Sequence, residues 1–519
     1  MANKDKFKEI IEQGYTFGGD SIVMGAAMLD GETIEGLQVK APLKTFNRHG
    51  LIAGATGTGK TKTLQMISEN LSAKGVSVLL MDIKGDLSGI AQSGTLNDKI
   101  NDRVTKIGVD FAVHGNPVEF LTLSKEKGAK LRATVSEFGP VLFSKILELN
   151  DVQEGVVAII FKYCDDNQMP LLDLKDFKKV LNYSIAEGED EFEKEYGKVA
   201  STTASTILRK IIELEQQGAD TFFGEKSFEV DDLVRMNDKG EGLISILRLT
   251  DIQDRPKLFS TFMLCLLAEI YATFPEEGDT DAPKLVIFID EAHLIFDEAS
   301  KALLNQIETI IKLIRSKGVG VFFCTQNPAD IPDSVLAQLG MKVQHALRAF
   351  TAKDRKAIKL AAENYPETEF YDTENSLTSL GIGEAFISVL NEKGIPSPLA
   401  ATLMCPPASR MDVLTTSEID EIVDNSMLVE KYNEEIDRES AYEMLTQKIT
   451  PQEQTENSEG SQEVTDNPTN DKSVIEKAGG FISDVANSSA GKIIIREVTR
   501  GLLGVLGFGG TTKRRTRRY

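Results

Sequence analysis

Residues Gly54-Ala55-Thr56-Gly57-Thr58-Gly59-Lys60-Thr61 satisfy every fixed position of the pattern G-x-x-x-x-G-K-[ST], and how this stretch is read decides the fold. Apolar Leu51-Ile52-Ala53 precedes it as the end of a strand, and Leu64, Ile67 and Leu71 follow at helical spacing. Strand, glycine-rich turn, helix is the order that a phosphate-binding loop requires. The glycines let backbone N–H groups close around phosphate oxygens at the positive end of a helix. In that arrangement Gly54, Ala55, Thr56, Gly57, Thr58 and Gly59 cradle the phosphates, Lys60 sets a full charge at the β and γ phosphates, and the Thr61 hydroxyl ligates Mg²⁺. Thr63, on the first helical turn, is counted with the nucleotide-binding residues. A chance glycine-rich turn is the competing reading, and the flanking strand and helix argue against it.

A second stretch, Lys284-Leu285-Val286-Ile287-Phe288-Ile289-Asp290-Glu291, runs a buried apolar strand into two adjacent carboxylates. It reads as a Walker B strand, with Asp290 holding Mg²⁺ through its water shell and Glu291 orienting and deprotonating the attacking water. A plain strand-end cap would also place acids here, but not beside a phosphate loop. A phosphotransferase has little use for a glutamate that activates water, so hydrolysis is favoured over transfer. His293 is close enough to touch this site and is assigned no catalysis, since such a histidine more often packs or caps.

Other strand ends add polar groups. Val76 to Met81 reads as a buried strand delivering Asp82, Lys84 and Asp86 in Asp82-Ile83-Lys84-Gly85-Asp86-Leu87. Ligands of open parallel sheets gather at carboxyl ends of strands, which makes these charges candidates for the rim, although spacing alone fits a solvated turn equally well. The strand Val319 to Thr325 ends at Gln326-Asn327-Pro328. The Gln326 amide can there hydrogen-bond the γ-phosphate and the lytic water. Arg315 and Arg348 are the arginines best placed to reach a nucleotide held by a neighbouring subunit.

These elements imply an α/β chain of RecA-like P-loop type with a mostly parallel sheet. Its core spans residues 46–124 and 239–407, after a short β-rich segment at 1–45. Residues 125–238 read as a helical insertion suited to gripping a partner, and 408–450 as a charged helical extension. Residues 451–470 hold no Lys, Arg or aromatic residue, the composition of a disordered linker. Residues 471–519 form an apolar, basic-ended tail whose partner is nucleic acid, an anionic surface or another copy of the chain, with a tethered docking segment favoured.

At 519 residues, 41% apolar and 27% charged, the composition is that of an ordinary globular protein of two or three domains. Residues 1–13 carry charges rather than an apolar leader core, and no apolar run approaches the ~20 residues of a membrane span, so a cytoplasmic location is expected. Cys164, Cys265, Cys324 and Cys405 stand apart without metal-ligand spacing, so zinc and disulfide chemistry are not expected. The net charge of −22 repels nucleic acid, and any DNA contact needs a local basic patch or pore. Residues 471–519 hold ten Lys and Arg against four Asp and Glu, so the rest of the chain carries −28.

Gly54 to Thr61, Asp82 to Asp86, Leu285 to Glu291 and Thr325-Gln326-Asn327-Pro328, in this order, resemble the HerA/FtsK superfamily of RecA-like ATPases, and within it the YjgR-like, HerA-helicase-like bacterial branch. The similarity covers roughly residues 15–405 and also includes the glycine-rich, basic-ended tail. It implies a parallel sheet with an extra strand between those carrying the phosphate loop and Walker B, and a homohexameric ring with ATP and Mg²⁺ at subunit interfaces. It also implies Lys60 and Thr61 on phosphate and Mg²⁺, Asp290 on Mg²⁺, Glu291 as base, Gln326 as sensor and Arg348 as the arginine finger. HerA-type translocases carry a full N-terminal β-barrel where only about 45 residues precede the core here, which argues against docking of a nuclease partner. The expected activity is an Mg²⁺-dependent ATP hydrolase, an oligomeric motor with DNA as leading polymer. The alternative is an ATP-gated scaffold that remodels protein partners without DNA.

Overall fold

The computed structural model describes residues 2–253, 255–278, 280–296, 301–434, 436 and 438–449. The linker and tail read from residues 451–519 lie outside them. The described chain divides into two compact units.

The first unit, Met1–Arg132 with Glu213–Ile436, is built on one sheet. Its strands are β1 (Ser21–Leu29), β2 (Glu32–Pro42), β3 (Gly50–Ala53), β4 (Ser77–Asp82), β5 (Val118–Thr122), β6 (Ala129–Lys130), β7 (Ile244–Arg248), β8 (Leu285–Ile289), β9 (Val319–Thr325), β10 (Met341–His345), β11 (Glu384–Ser388) and β12 (Ala400–Met404). The order across the sheet is β2-β1-β12-β11-β10-β3-β9-β8-β4-β7-β5-β6. From β10 to β6 every neighbouring pair is parallel. The remaining strands, β11, β12, β1 and β2, add on antiparallel. The first 45 residues thus supply the last two strands at one end of the same sheet rather than a separate layer.

Parallel strands covered on both faces read as unbroken apolar runs, and β4, β8 and β9 are buried at every position. Phe322 of β9 stacks on Phe46 and packs against Phe288 of β8, with ring centroids 5.5 and 5.0 Å away. The Phe322 ring leaves no room on β3, because a Cβ at Gly50 would fall 2.3 Å from it. One face of the sheet is covered by the helices Ala2–Gly14 and Lys60–Ala73, through Phe7, Ile11, Leu64, Ile67 and Leu71. In the sheet order β9 stands between β3 and β8, so a strand separates the phosphate loop from the two acids. This is the inserted strand that the superfamily resemblance implies.

The second unit, Ala133–Ile212 with residues 438–449, is helical. Phe143, Phe161 and Phe177 come from the successive helices Val135–Ile146, Asp151–Asp166 and Leu174–Tyr183, and their ring centroids meet at 4.9 to 6.0 Å. Asp176 accepts the Tyr442 backbone N–H at 2.9 Å, fixing the helix Ala441–Ile449 at its start. Among the described residues no helix is long and apolar enough to cross a membrane.

Candidate nucleotide site

The loop after β3 can close only with glycines. Gly54 and Gly59 have φ of 153° and 118°, and a Cβ on Gly54 would come 2.5 Å from the Cβ of His345. Thr58 ties the turn by donating its hydroxyl to the Ala55 carbonyl at 2.7 Å. Ala55, Thr56 and Gly57 form the accessible crest. The helix Lys60–Ala73 starts at Gly59 without a side-chain cap, which leaves its first N–H groups and the positive dipole end to an anion. Lys60 is buried, and its Nζ donates to the Gly54 and Ala55 carbonyls at 2.7 and 3.3 Å. The amine thus lies inside the curve of the loop. Burial and the nearby Lys84 amine lower its pKa, while Glu291 and Asp290 oppose that shift.

Because β3, β9 and β8 run parallel as neighbours, Lys60, in the loop and helix after β3, and Asp290 and Glu291, after β8, stand at one rim of the sheet. Asp290 and Glu291 follow β8, each only 5% exposed. Burial raises the Asp290 carboxyl to about 6 against the pull of Lys84. Its Oδ2 is buried with no hydrogen-bond partner, as is Oδ1 of Asp86. Glu291 has a φ of 46°, a left-handed conformation that costs a non-glycine residue about 1–3 kcal/mol and clusters at functional sites. Lys84 Nζ lies against its Oε1, and His293 Nδ1 is 3.2 Å from its Oε2.

The loop after β4 is shaped by Asp82, which accepts the backbone N–H groups of Gly85, Asp86 and Leu87 at 2.7, 3.2 and 3.2 Å. Burial outweighs these bonds and pushes its carboxyl up to about 7. Sequence offered a solvated turn as an equal reading of Asp82 to Asp86. The turn is instead organised around a buried carboxylate that presents Lys84 to Glu291 and Asp86 to Thr61, whose Oγ1 is 3.5 Å from Asp86 Oδ2.

This donor set fits a magnesium ion. Mg²⁺ takes hard oxygen ligands and is held by one or two carboxylates together with substrate phosphates rather than by a full protein cage. The unpartnered oxygens of Asp290 and Asp86 and the Thr61 hydroxyl are such donors. Among the described residues no group of three or more His, Cys, Asp and Glu is gathered as a metal site.

β9 joins the two halves. Gly54 donates its N–H to the Thr325 carbonyl at 3.2 Å, and Ala292 donates to the Cys324 carbonyl at 2.9 Å. Gln326, the next residue, is therefore exposed between the phosphate loop and the acids. Asp330 fixes the turn beneath it, accepting from Thr325 Oγ1 at 2.6 Å and the Asn327 N–H at 3.2 Å.

The remaining assigned residues lie further out. Arg348 follows β10 on the side of β3 away from the acids, exposed, with Nη1 3.2 Å from the Thr378 carbonyl. Arg315 sits in the turn before β9, at the amino edge of the sheet and opposite the loop. Thr63 is buried and its hydroxyl engages Nε2 of His345 at 2.9 Å. Sequence reasoning assigned no role to His345 and no partner to Lys84. For His345 the signal was a histidine closing a strand that already holds Lys342 and Gln344, which does not reveal which loop it will underlie.

The sequence matches the HerA-like helicase C-terminal family across residues 28–514. It is 22% identical over 362 residues to the DNA double-strand break repair helicase HerA of Saccharolobus solfataricus, covering 68% of this chain and 63% of that protein. It is 23% identical over 374 residues to the HerA of Sulfolobus acidocaldarius, covering 68% and 64%. The chain thus spans slightly less than two thirds of these curated relatives. Among solved structures, the bacterial conjugative coupling protein TrwB aligns at a TM-score of 0.49 and 13% identity, covering 78% of this chain and 94% of TrwB. With a family match that runs through most of its length, this chain belongs to the HerA-like helicase C-terminal family.

Proposed function

We propose that this protein is an Mg²⁺-dependent ATP hydrolase that works as an oligomeric motor on DNA. The observation that carries the reading is that Lys60, Asp290 and Glu291 follow parallel strands at one rim of the sheet, with a buried carboxylate oxygen of Asp290 left without a hydrogen-bond partner. Lys60 and the loop N–H groups bind and orient the β and γ phosphates. Thr61 and Asp290 would hold Mg²⁺, which supplies charge neutralisation at the phosphates. Glu291 takes a proton from water as the water oxygen bonds to the γ-phosphorus and the bond to the β–γ bridging oxygen breaks, leaving ADP. Gln326 positions that water. In a hexameric ring, Arg348 of a neighbouring copy would stabilise the charge on the transferring phosphoryl group. DNA is favoured as the polymer because relatives in the same family are named for DNA repair and DNA import. A cytoplasmic location and a docking role for the C-terminal tail belong to the same reading.

The test is ATP turnover with and without double-stranded DNA from low to physiological salt, alongside the solution mass of the oligomer. DNA stimulation that weakens as salt rises supports the motor. Turnover unchanged by DNA even at low ionic strength would leave the ATP-gated scaffold in its place.

A further inference from the structure

The Lys84–Glu291 contact poses a chemical problem. A general base needs a free carboxylate of adequate basicity, and an ammonium group pressed against it removes both. Lys84 is not there by accident of a floppy surface, since the Asp82 carboxylate before it holds the backbone N–H groups of the three residues that follow it. The Glu291 side chain is 7% exposed, whereas that of Lys84 is 39% exposed. A buried carboxylate with no cation is costly, so the pair persists until a different charge arrives. The Lys84 end, still reached by solvent, is the one free to change partners. Its amine is also the charged group felt most strongly by Lys60, the residue at the β and γ phosphates in the reading above. Lys60 is tied to the loop carbonyls, whereas Lys84 is held by Glu291.

We infer that Lys84 is the residue by which this site distinguishes a nucleoside triphosphate from a diphosphate: it pairs with Glu291 when no terminal phosphate is present and moves its contact to that phosphate when one is bound. The exchange frees Glu291 for water only when a γ-phosphate is in place. It also prevents the base from acting without its substrate. The inference rests on the ATP hydrolase reading and deepens it.

The test compares affinities, by displacement of a fluorescent nucleotide, for ADP and for a non-hydrolysable ATP analogue, each with Mg²⁺, on the full chain. Loss of one charge-assisted contact predicts that Lys84→Met weakens the ATP analogue about tenfold while changing ADP by less than about twofold. Lys84→Arg should recover most of the difference. Glu291→Gln, which dissolves the resting pair, should tighten the ATP analogue in the Lys84 background and not in Lys84→Met. If Lys84→Met does not fold, Lys84→Gln answers the same question. A variant that lowers both nucleotides equally, or neither, overturns the inference. Lys60→Ala separates this from the underlying reading. If Lys60→Ala binds both nucleotides like the wild type, the hydrolase reading fails. If it loses them while Lys84→Met keeps the wild-type ratio, only the role of Lys84 fails.

Discussion

The Thr63 hydroxyl lies 2.9 Å from Nε2 of His345, while Nδ1 of the same ring is 2.9 Å from the Glu384 carbonyl. A carbonyl can only accept, so Nδ1 carries the proton and Nε2 accepts from Thr63. One neutral tautomer is thereby fixed under the phosphate loop, and burial keeps the ring neutral by lowering its pKa to about 4. The ring links the first turn of the nucleotide helix to β11 and supports Gly54 from below.

His345→Ala removes both hydrogen bonds and opens a cavity under Gly54. A loss of about 2–4 kcal/mol in unfolding free energy is expected, with weaker nucleotide binding at temperatures where the variant is still folded. Denaturant titration checks the first effect, and wild-type stability in the variant would show that the ring carries no such support.

His49 gives the pH dependence. It accepts from the Val321 N–H at Nδ1 and donates from Nε2 to the Ile311 carbonyl, and burial lowers its pKa to about 4, with Arg315 adding to the shift. The folded value lies below the unfolded one, so its contribution is complete above about pH 6.5 and is lost as pH falls toward 4. The amount is on the order of 3 kcal/mol. Asp82 and Asp290 have raised values and act in the opposite sense, so the informative quantity is the difference between wild type and His49→Gln. That difference should shrink between pH 7.5 and 5. Parallel stability curves would remove the argument.

Glu69 is buried on the nucleotide helix, and its carboxylate accepts from the Ala408 N–H at 2.6 Å, the Ser409 N–H at 3.2 Å and Ser409 Oγ at 2.7 Å. Glu69→Ala strands these donors in the interior. The expected cost is about 2–4 kcal/mol, with Glu69→Gln losing less because its carbonyl oxygen still accepts. Equal melting temperatures for Glu69→Ala and wild type would contradict this role.

Two kinetic variants probe the chemistry directly. Glu291→Gln should retain ATP and turn over about 10²- to 10⁴-fold more slowly, the range for loss of a general base. Gln326→Ala should lower kcat about 10- to 100-fold with little change in ADP affinity, because it loses one positioning contact rather than the base. Turnover in Glu291→Gln equal to wild type would reject the base assignment, and a Gln326→Ala effect confined to KM would reject the sensor.

The phosphate loop, the Walker B strand and the parallel sheet were legible because each is written in contiguous residues. Gly54 to Thr61 and Leu285 to Glu291 carry their own local geometry, and runs such as Val319 to Thr325 announce burial on both faces. Sequence did not reveal which groups would touch across the chain. Glu69 and Ala408 are 339 positions apart, and Thr63 and His345 are 282 apart. Lys84 meets Glu291 because β4 lies beside β8, and His345 underlies Gly54 because β10 lies beside β3. Periodicity records whether a residue is buried, a property of its own stretch of chain. The partner it is buried against is set by the order of strands, which forms only when the whole sheet assembles.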